Sequence, residues 1–317
     1  MTAALVLIGS VVCAYSMYTS SVLSSHAVGF TSSPRQFLSV ESGSLSSNEY
    51  SIDRLRAKVL RTEGRIRILL LTAHPDDESM FFGPTVLGLA HEYGKRGVEV
   101  EWYLHCLSKG VNCGEERRNE LMSAGPVLGF GKDATSAEQR ILVDDLPDGE
   151  DWRAHDVAIR LQRSVRRWNI DVVVTFDEYG VSGHKNHKSC HDGAKLLWHS
   201  ATSSPPTSSA PPPSASASTT SSSPILELPQ TLRAMYTLRS CSIFEKYLAS
   251  LPFPYHIYAL SSHTQFGNHE SPLLIANPDP NRLHLAMQAH RSQYVWFRRL
   301  YIACSQLVFF NYLLPIS

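Results

Sequence analysis

The sequence predicts an α/β fold, an open and mainly parallel sheet with helices on both faces, preceded by an amino-terminal membrane anchor. Three observations carry this. Ile66-Arg67-Ile68-Leu69-Leu70-Leu71-Thr72 and Ile170-Asp171-Val172-Val173-Val174-Thr175-Phe176 are near-continuous apolar runs, as expected of strands covered on both faces. The stretches between them have helical spacing, and a strand, helix, strand order favours parallel pairing through right-handed crossovers. The third observation is that Thr2 to about Leu23 carries no charged side chain.

Composition sets the frame. The 317 residues are 43% hydrophobic and 18% charged, which suits one globular domain with additions. Twenty-nine basic residues balance 29 acidic ones, so no bulk basicity points to nucleic acid. Cys13, Cys106, Cys113, Cys190, Cys241 and Cys304 form no C-x-x-C pair. Neither a disulfide framework nor a structural zinc knuckle is indicated, and the compartment around the domain reads as reducing.

The first 23 residues come close to the roughly 20 that a membrane span needs. A cleaved signal peptide would also explain a short apolar core. No Lys or Arg precedes the run and the first charge after it is Arg35, with Arg54, Arg56 and Lys58 further on. That pattern favours an uncleaved anchor with the rest of the chain on the cytoplasmic side. Residues 24–60 then read as a linker, Ser-rich as far as Ser51, and the domain as beginning near residue 61.

Ser79 to Tyr93 has helical spacing, with Pro84 able to interrupt or restart it. Val98 to Leu104 alternates apolar and polar, as a strand with one exposed face does. Glu115 to Leu128 predicts a helix, Asp144 to Asp151 an acidic loop, and Asp156 to Trp168 an amphipathic helix with Val157, Leu161, Val165 and Trp168 on one face. Lys188 to Trp198 predicts another helix. Residues 200–224 are almost pure Ser, Pro, Ala and Thr, too poor in apolar surface to offset chain entropy, and read as a disordered insertion. The remainder of the domain, 225–317, contains an expected strand at Leu232–Leu238 and a helix from about Asn281 to Cys304. The apolar run Leu307 to Ile316 reads as a membrane-dipping tail or a last core element.

Both buried strands end in clusters of ionisable groups. The first is Ala73-His74-Pro75-Asp76-Asp77-Glu78, and the second runs from Asp177 through Gly183-His184-Lys185-Asn186-His187. Ligands of open α/β sheets bind beyond the carboxyl ends of the strands, so both clusters fall on the expected edge. A hydrolytic metal site needs two or three neutral or anionic ligands, an open position for water, and a separate base. His74 and Asp77 can grip one ion from a single turn, leaving Asp76 free to act on water. His184 or His187 can supply a third ligand, with His191 and Cys190 as competitors. Two histidines and a carboxylate suit zinc, and equally non-haem ferrous iron. Acids also favour a helix start, yet two such clusters after two buried strands argue against a merely solvated run.

These two clusters, with the later His290-Arg291-Ser292-Gln293 and Trp296-Phe297-Arg298, closely resemble the N-acetylglucosaminyl-phosphatidylinositol de-N-acetylases of the PIG-L or LmbE-like zinc deacetylase group. The resemblance runs from about Ile66 to Asn311, interrupted by the Ser/Pro insertion. It implies a Rossmann-like deacetylase fold, zinc as the metal, and His74, Asp77 and His187 as its ligands. It implies Asp76 as the general base, His184 as the group that polarises the carbonyl and stabilises the oxyanion, and Arg117 as a substrate-binding residue; Glu78 takes a supporting role. It further implies a single span in the endoplasmic reticulum membrane, a cytoplasm-facing catalytic domain, and removal of acetate from GlcNAc-phosphatidylinositol, the second step of GPI-anchor assembly. The rivals are a deacetylase of another N-acetylglucosaminyl conjugate and a catalytically silent membrane scaffold.

Overall fold

A computed structural model describes residues 51–60, 64–111, 114–200, 226–247 and 272–316. The apolar segment 2–23, the Ser-rich residues 24–50 and the Ser/Pro residues 201–224 lie outside these. No described helix is long and apolar enough to cross a membrane.

The strands are β1 Arg65–Thr72, β2 Glu99–Cys106, β3 Ile141–Val143, β4 Val172–Phe176, β5 Ala234–Leu238, β6 Leu273–Ala276 and β7 Phe310–Pro315. They form one sheet in the order β3-β2-β1-β4-β5-β7-β6. The first five are parallel; β7 runs antiparallel to both β5 and β6. Every residue of β4 is buried, and so are Ile68 to Leu71 of β1, which is why these two strands need no apolar alternation. From β1 the chain moves outward through β2 and β3, then returns to lay β4 on the other side of β1. The reversal opens a crevice beyond the carboxyl ends of β1 and β4, and both clusters lie there.

The helices are α1 at residues 51–59, α2 Asp77–Met80, α3 Gly83–Lys95, α4 Gly114–Leu128, α5 Ala134–Arg140, α6 Ala154–Trp168, the one-turn α7 Gly180–Gly183, α8 Lys185–His199, α9 Ile243–Lys246, α10 Pro280–Ala289, α11 Trp296–Cys304 and α12 Gln306–Phe309. α6 packs along α8, whereas α10 packs on α4 and on α2. Pro84 sits in the first turn of α3 and restarts the helix after α2, where a missing N–H is harmless.

Three expectations change, and of the two readings of the run Leu307 to Ile316 one holds. The domain begins before residue 61: Ile52, Leu55 and Val59 of α1 are buried at helical spacing in the core, and the Tyr93 hydroxyl donates to the Ile52 carbonyl at 3.4 Å. The run Leu307 to Ile316 is a core element, α12 and β7. Asn311 fastens it to the active edge, accepting from the Thr85 N–H at 3.0 Å and its hydroxyl at 2.7 Å while donating to the Phe81 carbonyl at 3.0 Å. The expected Asn281–Cys304 helix is two helices, α10 and α11, separated by residues 290–295. That break contains neither Gly nor Pro. Glu120 of α4 holds it instead, accepting from the Ser292 N–H and hydroxyl, each at 2.7 Å. Finally, α8 starts at Lys185 rather than Lys188, which puts His184 at its N-cap and His187 in its first turn.

Candidate active site

The turn after β1 is wrapped around its own carboxylates. Asp76 has φ 111°, a conformation uncommon for residues other than glycine, and from there α2 begins with Asp77 and Glu78 directed inward. The N–H groups of Ala73 and His74 donate to Asp77 Oδ2 at 3.0 and 2.8 Å, and the Asp76 N–H donates to Glu78 Oε2 at 3.1 Å. All three carboxylates are buried. They remain in the interior because each meets partners there.

The turn after β4 is held differently. Gly180, Val181 and Gly183 all have positive φ, at 67°, 63° and 77°. Asp177 Oδ1 accepts from the Gly180 N–H at 2.9 Å and from the Ser240 hydroxyl at 2.6 Å. Ser240 Oγ in turn accepts from the Val181 N–H at 2.7 Å, and Lys246 Nζ donates to the Val181 carbonyl at 2.9 Å. The product of this scaffold is the orientation of His187. Its Nδ1 donates to the Gly180 carbonyl at 3.1 Å, its ring stacks on Phe176 at 4.0 Å, and its Nε2 lies 3.2 Å from Asp77 Oδ1. A Cβ on residue 180 would sit 2.8 Å from the His187 Cβ, so glycine is required there both by φ and by space.

Together the two turns gather the expected residues. The ligand atoms of His74, His184 and His187 lie within 4.8 Å of one another, and His74 Nδ1 is 3.9 Å from Asp77 Oδ2. Ligands on a tetrahedral ion with bonds of about 2.05 Å are about 3.3 Å apart, close to the spacing between His187 and Asp77. The spacing of His187 and Asp77 thus suits a shared divalent ion, and the three histidines gathered there include His184, which the resemblance makes the carbonyl-polarising group rather than a ligand. The far nitrogen of His74 donates to Asp148 Oδ1 at 2.9 Å, the kind of support a metal-ligating histidine needs. Asn186 fixes that acidic loop, accepting from the Gly149 N–H at 3.1 Å and donating to the Glu150 carbonyl at 2.7 Å. The competing residues are not gathered: His191 meets its neighbour Asp192 at 3.1 Å, and burial pushes the Cys190 thiol up, away from thiolate character.

The adjacent carboxylates are driven apart electrostatically. Burial pushes Asp76 up to about 6, reinforced by Asp77 and opposed by Arg298, His290 and Arg117. Burial acts the same way on Asp77, but there His187 and His74 outweigh it and hold the group well below the ordinary carboxylate range. Such a split is how two neighbouring carboxylates take different chemical parts. Burial, with His187 and His74 beside it, lowers His184 toward the neutral imidazole. Its Nδ1 is buried with no hydrogen-bond partner. Glu78 is held low against burial by His290, which donates to it at 2.6 Å, and by Ser79.

Arg117 lines the site, donating to the Pro75 carbonyl at 3.0 Å and standing 3.8 Å from Asp76 Oδ1. Sequence reasoning assigned no role to Asp148, His290, Arg298, Ser240 or Lys246. Arg298 forms an ion pair with Asp76 Oδ2, and His290 is fully buried against Glu78. Both lie in the third stretch that carried the resemblance, which was the available signal.

Comparison with known proteins agrees with this assembly. The family model "PIG-L: GlcNAc-PI de-N-acetylase" matches residues 69–198, which contain both clusters. A Bos taurus protein named N-acetylglucosaminyl-phosphatidylinositol de-N-acetylase is 33% identical over 253 residues, 78% of this chain and 83% of the relative. Proteins named as probable enzymes of the same kind are 34% identical in Dictyostelium discoideum, over 79% of this chain and 93% of the relative, and 31% identical in Schizosaccharomyces pombe, over 78% and 85%. With one third of the aligned residues identical across most of both lengths, and with both clusters inside the family match, the chain belongs to the PIG-L family of GlcNAc-PI de-N-acetylases.

Proposed function

We propose that the protein is a zinc-dependent amidase that removes the acetyl group from N-acetylglucosaminyl-phosphatidylinositol, giving glucosaminyl-phosphatidylinositol and acetate, the second step of GPI-anchor biosynthesis. The relatives' names give the substrate. The observation that carries the chemistry is the placing of two adjacent buried carboxylates at one sheet edge, Asp77 between His74 and His187 and Asp76 on the side of Arg298 and Arg117.

In this reading His74, Asp77 and His187 hold the ion. When bound, zinc polarises the acetyl carbonyl and makes water a better nucleophile at neutral pH. Asp76 takes the proton of the attacking water and later gives it to the departing amine. Arg298 and Arg117 keep Asp76 from rising further, so that enough of it is ionised to act as a base. A ring N–H of His184 donates to the carbonyl oxygen as negative charge develops there, a contribution typically of about 10² to 10³ in rate. Arg117 takes the substrate at the rim. Residues 2–23 anchor the chain in the endoplasmic reticulum membrane, with the domain facing the cytoplasm, beside a substrate that is itself a lipid.

The test is release of acetate from GlcNAc-phosphatidylinositol by the full chain, alone, with a chelator, and with the chelator followed by zinc. Activity that chelation abolishes and zinc restores is expected. Release that is insensitive to chelation, or that occurs only from a soluble N-acetylglucosaminyl conjugate, overturns the reading.

A further inference from the structure

Helix α11 presents its two sides the wrong way round for a helix facing water. Tyr301 and Ile302 are buried, but the other side is apolar as well. Trp296 is 71% exposed, Phe297 54% and Leu300 57%, and Ala303 is also exposed. Their spacing, i, i+1, i+4 and i+7, places them on one outward face, where a surface helix ordinarily carries polar residues. The Trp296 and Phe297 rings meet edge to face with centroids 5.9 Å apart, so they form one contiguous apolar surface.

Charge and position identify what suits this face. Asp279 is the last acidic residue of the chain; Pro280 onward contains no Asp or Glu. Arg299 of the same helix and Arg291 of the break before it are exposed, and the Arg299 guanidinium lies 5.0 Å from the Tyr294 ring centroid. Exposed Trp, Phe and Leu flanked by arginine and free of acids is the pattern of a helix that lies in the headgroup layer of a bilayer. The same helix is also continuous with the catalytic edge, because Arg298, between the exposed Phe297 and Arg299, forms the ion pair with Asp76.

We propose that the Trp296, Phe297 and Leu300 face of α11 is a bilayer-docking surface that seats the mouth of the active site on the membrane. The inference rests on reading the substrate as a membrane lipid. Its sugar headgroup reaches only a short way from the bilayer, so Asp76 must be brought to the surface. The anchor proposed at residues 2–23 would hold the chain at the bilayer from the far end of the sequence. A second contact beside Asp76 turns the site toward the membrane.

Because the tether alone would hold the chain on vesicles, the test measures depth rather than binding. The full chain is reconstituted into phosphatidylcholine and phosphatidylinositol vesicles that contain acyl-brominated lipid and no substrate, and tryptophan quenching is compared for wild type and Trp296→Phe. Quenching in wild type that is mostly lost in Trp296→Phe is expected. Equal quenching in the two proteins overturns the proposal. So does a Trp296 shielded from both bromolipid and aqueous acrylamide, which would mean that a protein segment covers it.

A second measurement uses Trp296→Ser/Phe297→Ser/Leu300→Ser. Turnover of the water-soluble headgroup, GlcNAc-inositol phosphate, should stay within about twofold of wild type, while turnover of vesicle-embedded GlcNAc-phosphatidylinositol falls by about tenfold or more. A parallel loss on both substrates overturns docking. If wild type turns over neither substrate, the proposed function fails, and the quenching result still decides the docking surface.

Discussion

The turns after β1 and β4 meet at one point and are built on different principles. The β1 turn is a device for charge. Its own N–H groups bind Asp77 and Glu78; partners from α4, the 290–295 break and α11 set the charge of Asp76 and Glu78, and His74 and His187 hold Asp77 ionised. The β4 turn is a device for shape. It carries three positive-φ residues, is strapped by Asp177, Ser240 and Lys246, and holds the His187 imidazole in a fixed orientation, with His184 one turn before it. A change in the first should therefore alter acid–base behaviour with the architecture intact, whereas a change in the second should loosen geometry with the acid–base behaviour intact.

The largest expected effect separates base from ligand inside the β1 turn. Asp76→Asn keeps the shape and removes the proton acceptor, so deacetylation should fall by about 10² to 10⁴ with metal content unchanged. His74→Ala should lose both activity and metal. Metal analysis alongside acetate release checks the pair, and an active Asp76→Asn would refute the assignment of the base.

Next in size is Arg298→Gln. Arg298 opposes the rise of Asp76, so its removal should raise Asp76 further and move the acid limb of the kcat/KM profile to higher pH. The loss should reach roughly tenfold at pH 6 and shrink by pH 8, with partial rescue by Arg298→Lys. A uniform loss at every pH would mean that Arg298 acts by packing instead.

The β4 turn should respond in the other manner. Lys246→Met removes the donor to the Val181 carbonyl, and Ser240→Ala removes the group that joins Asp177 to Val181. Each should lower stability by about 1–2 kcal/mol and slow kcat about threefold to tenfold by loosening His187. The acid limb should stay where it is. A shifted limb in either variant would erase the distinction between the two turns.

The same contrast explains what the sequence could disclose. β1 and β4 were legible because burial on both faces leaves an unbroken apolar run, and His74, Asp76 and Asp77 because one turn holds all three. The charges that tune them were not: Glu78 and His290 are 212 positions apart, and no local pattern links them. The break at 290–295 has no Gly or Pro to announce it and is held by Glu120, a long-range acceptor. β3 and β6 have three and four residues, too few for a period to emerge. α1 was hidden because Ile52, Leu55 and Val59 are spaced among Arg54, Arg56 and Lys58, which resemble a solvated linker.

The smallest expected effect concerns the buried Glu78–His290 pair. In its net contribution to stability desolvation opposes attraction, and its pH dependence has a definite sign. His290 is raised above 6.5 because Glu78 outweighs burial, so its share is fully present below 6.5 and is lost as pH rises through the raised value. Glu78 is lowered below 4.5, so its share is fully present above 4.5 and is lost as pH falls through the lowered value. Wild type should therefore gain most over Glu78→Gln/His290→Gln between pH 4.5 and 6.5, and less on either side. Thermal unfolding of both proteins across pH 3 to 9, the ordinary range bracketing both groups, reads this directly. A difference in Tm that is flat with pH would show that the two side chains are joined as neutral groups, and that His290 has no part in setting the charge of the β1 turn.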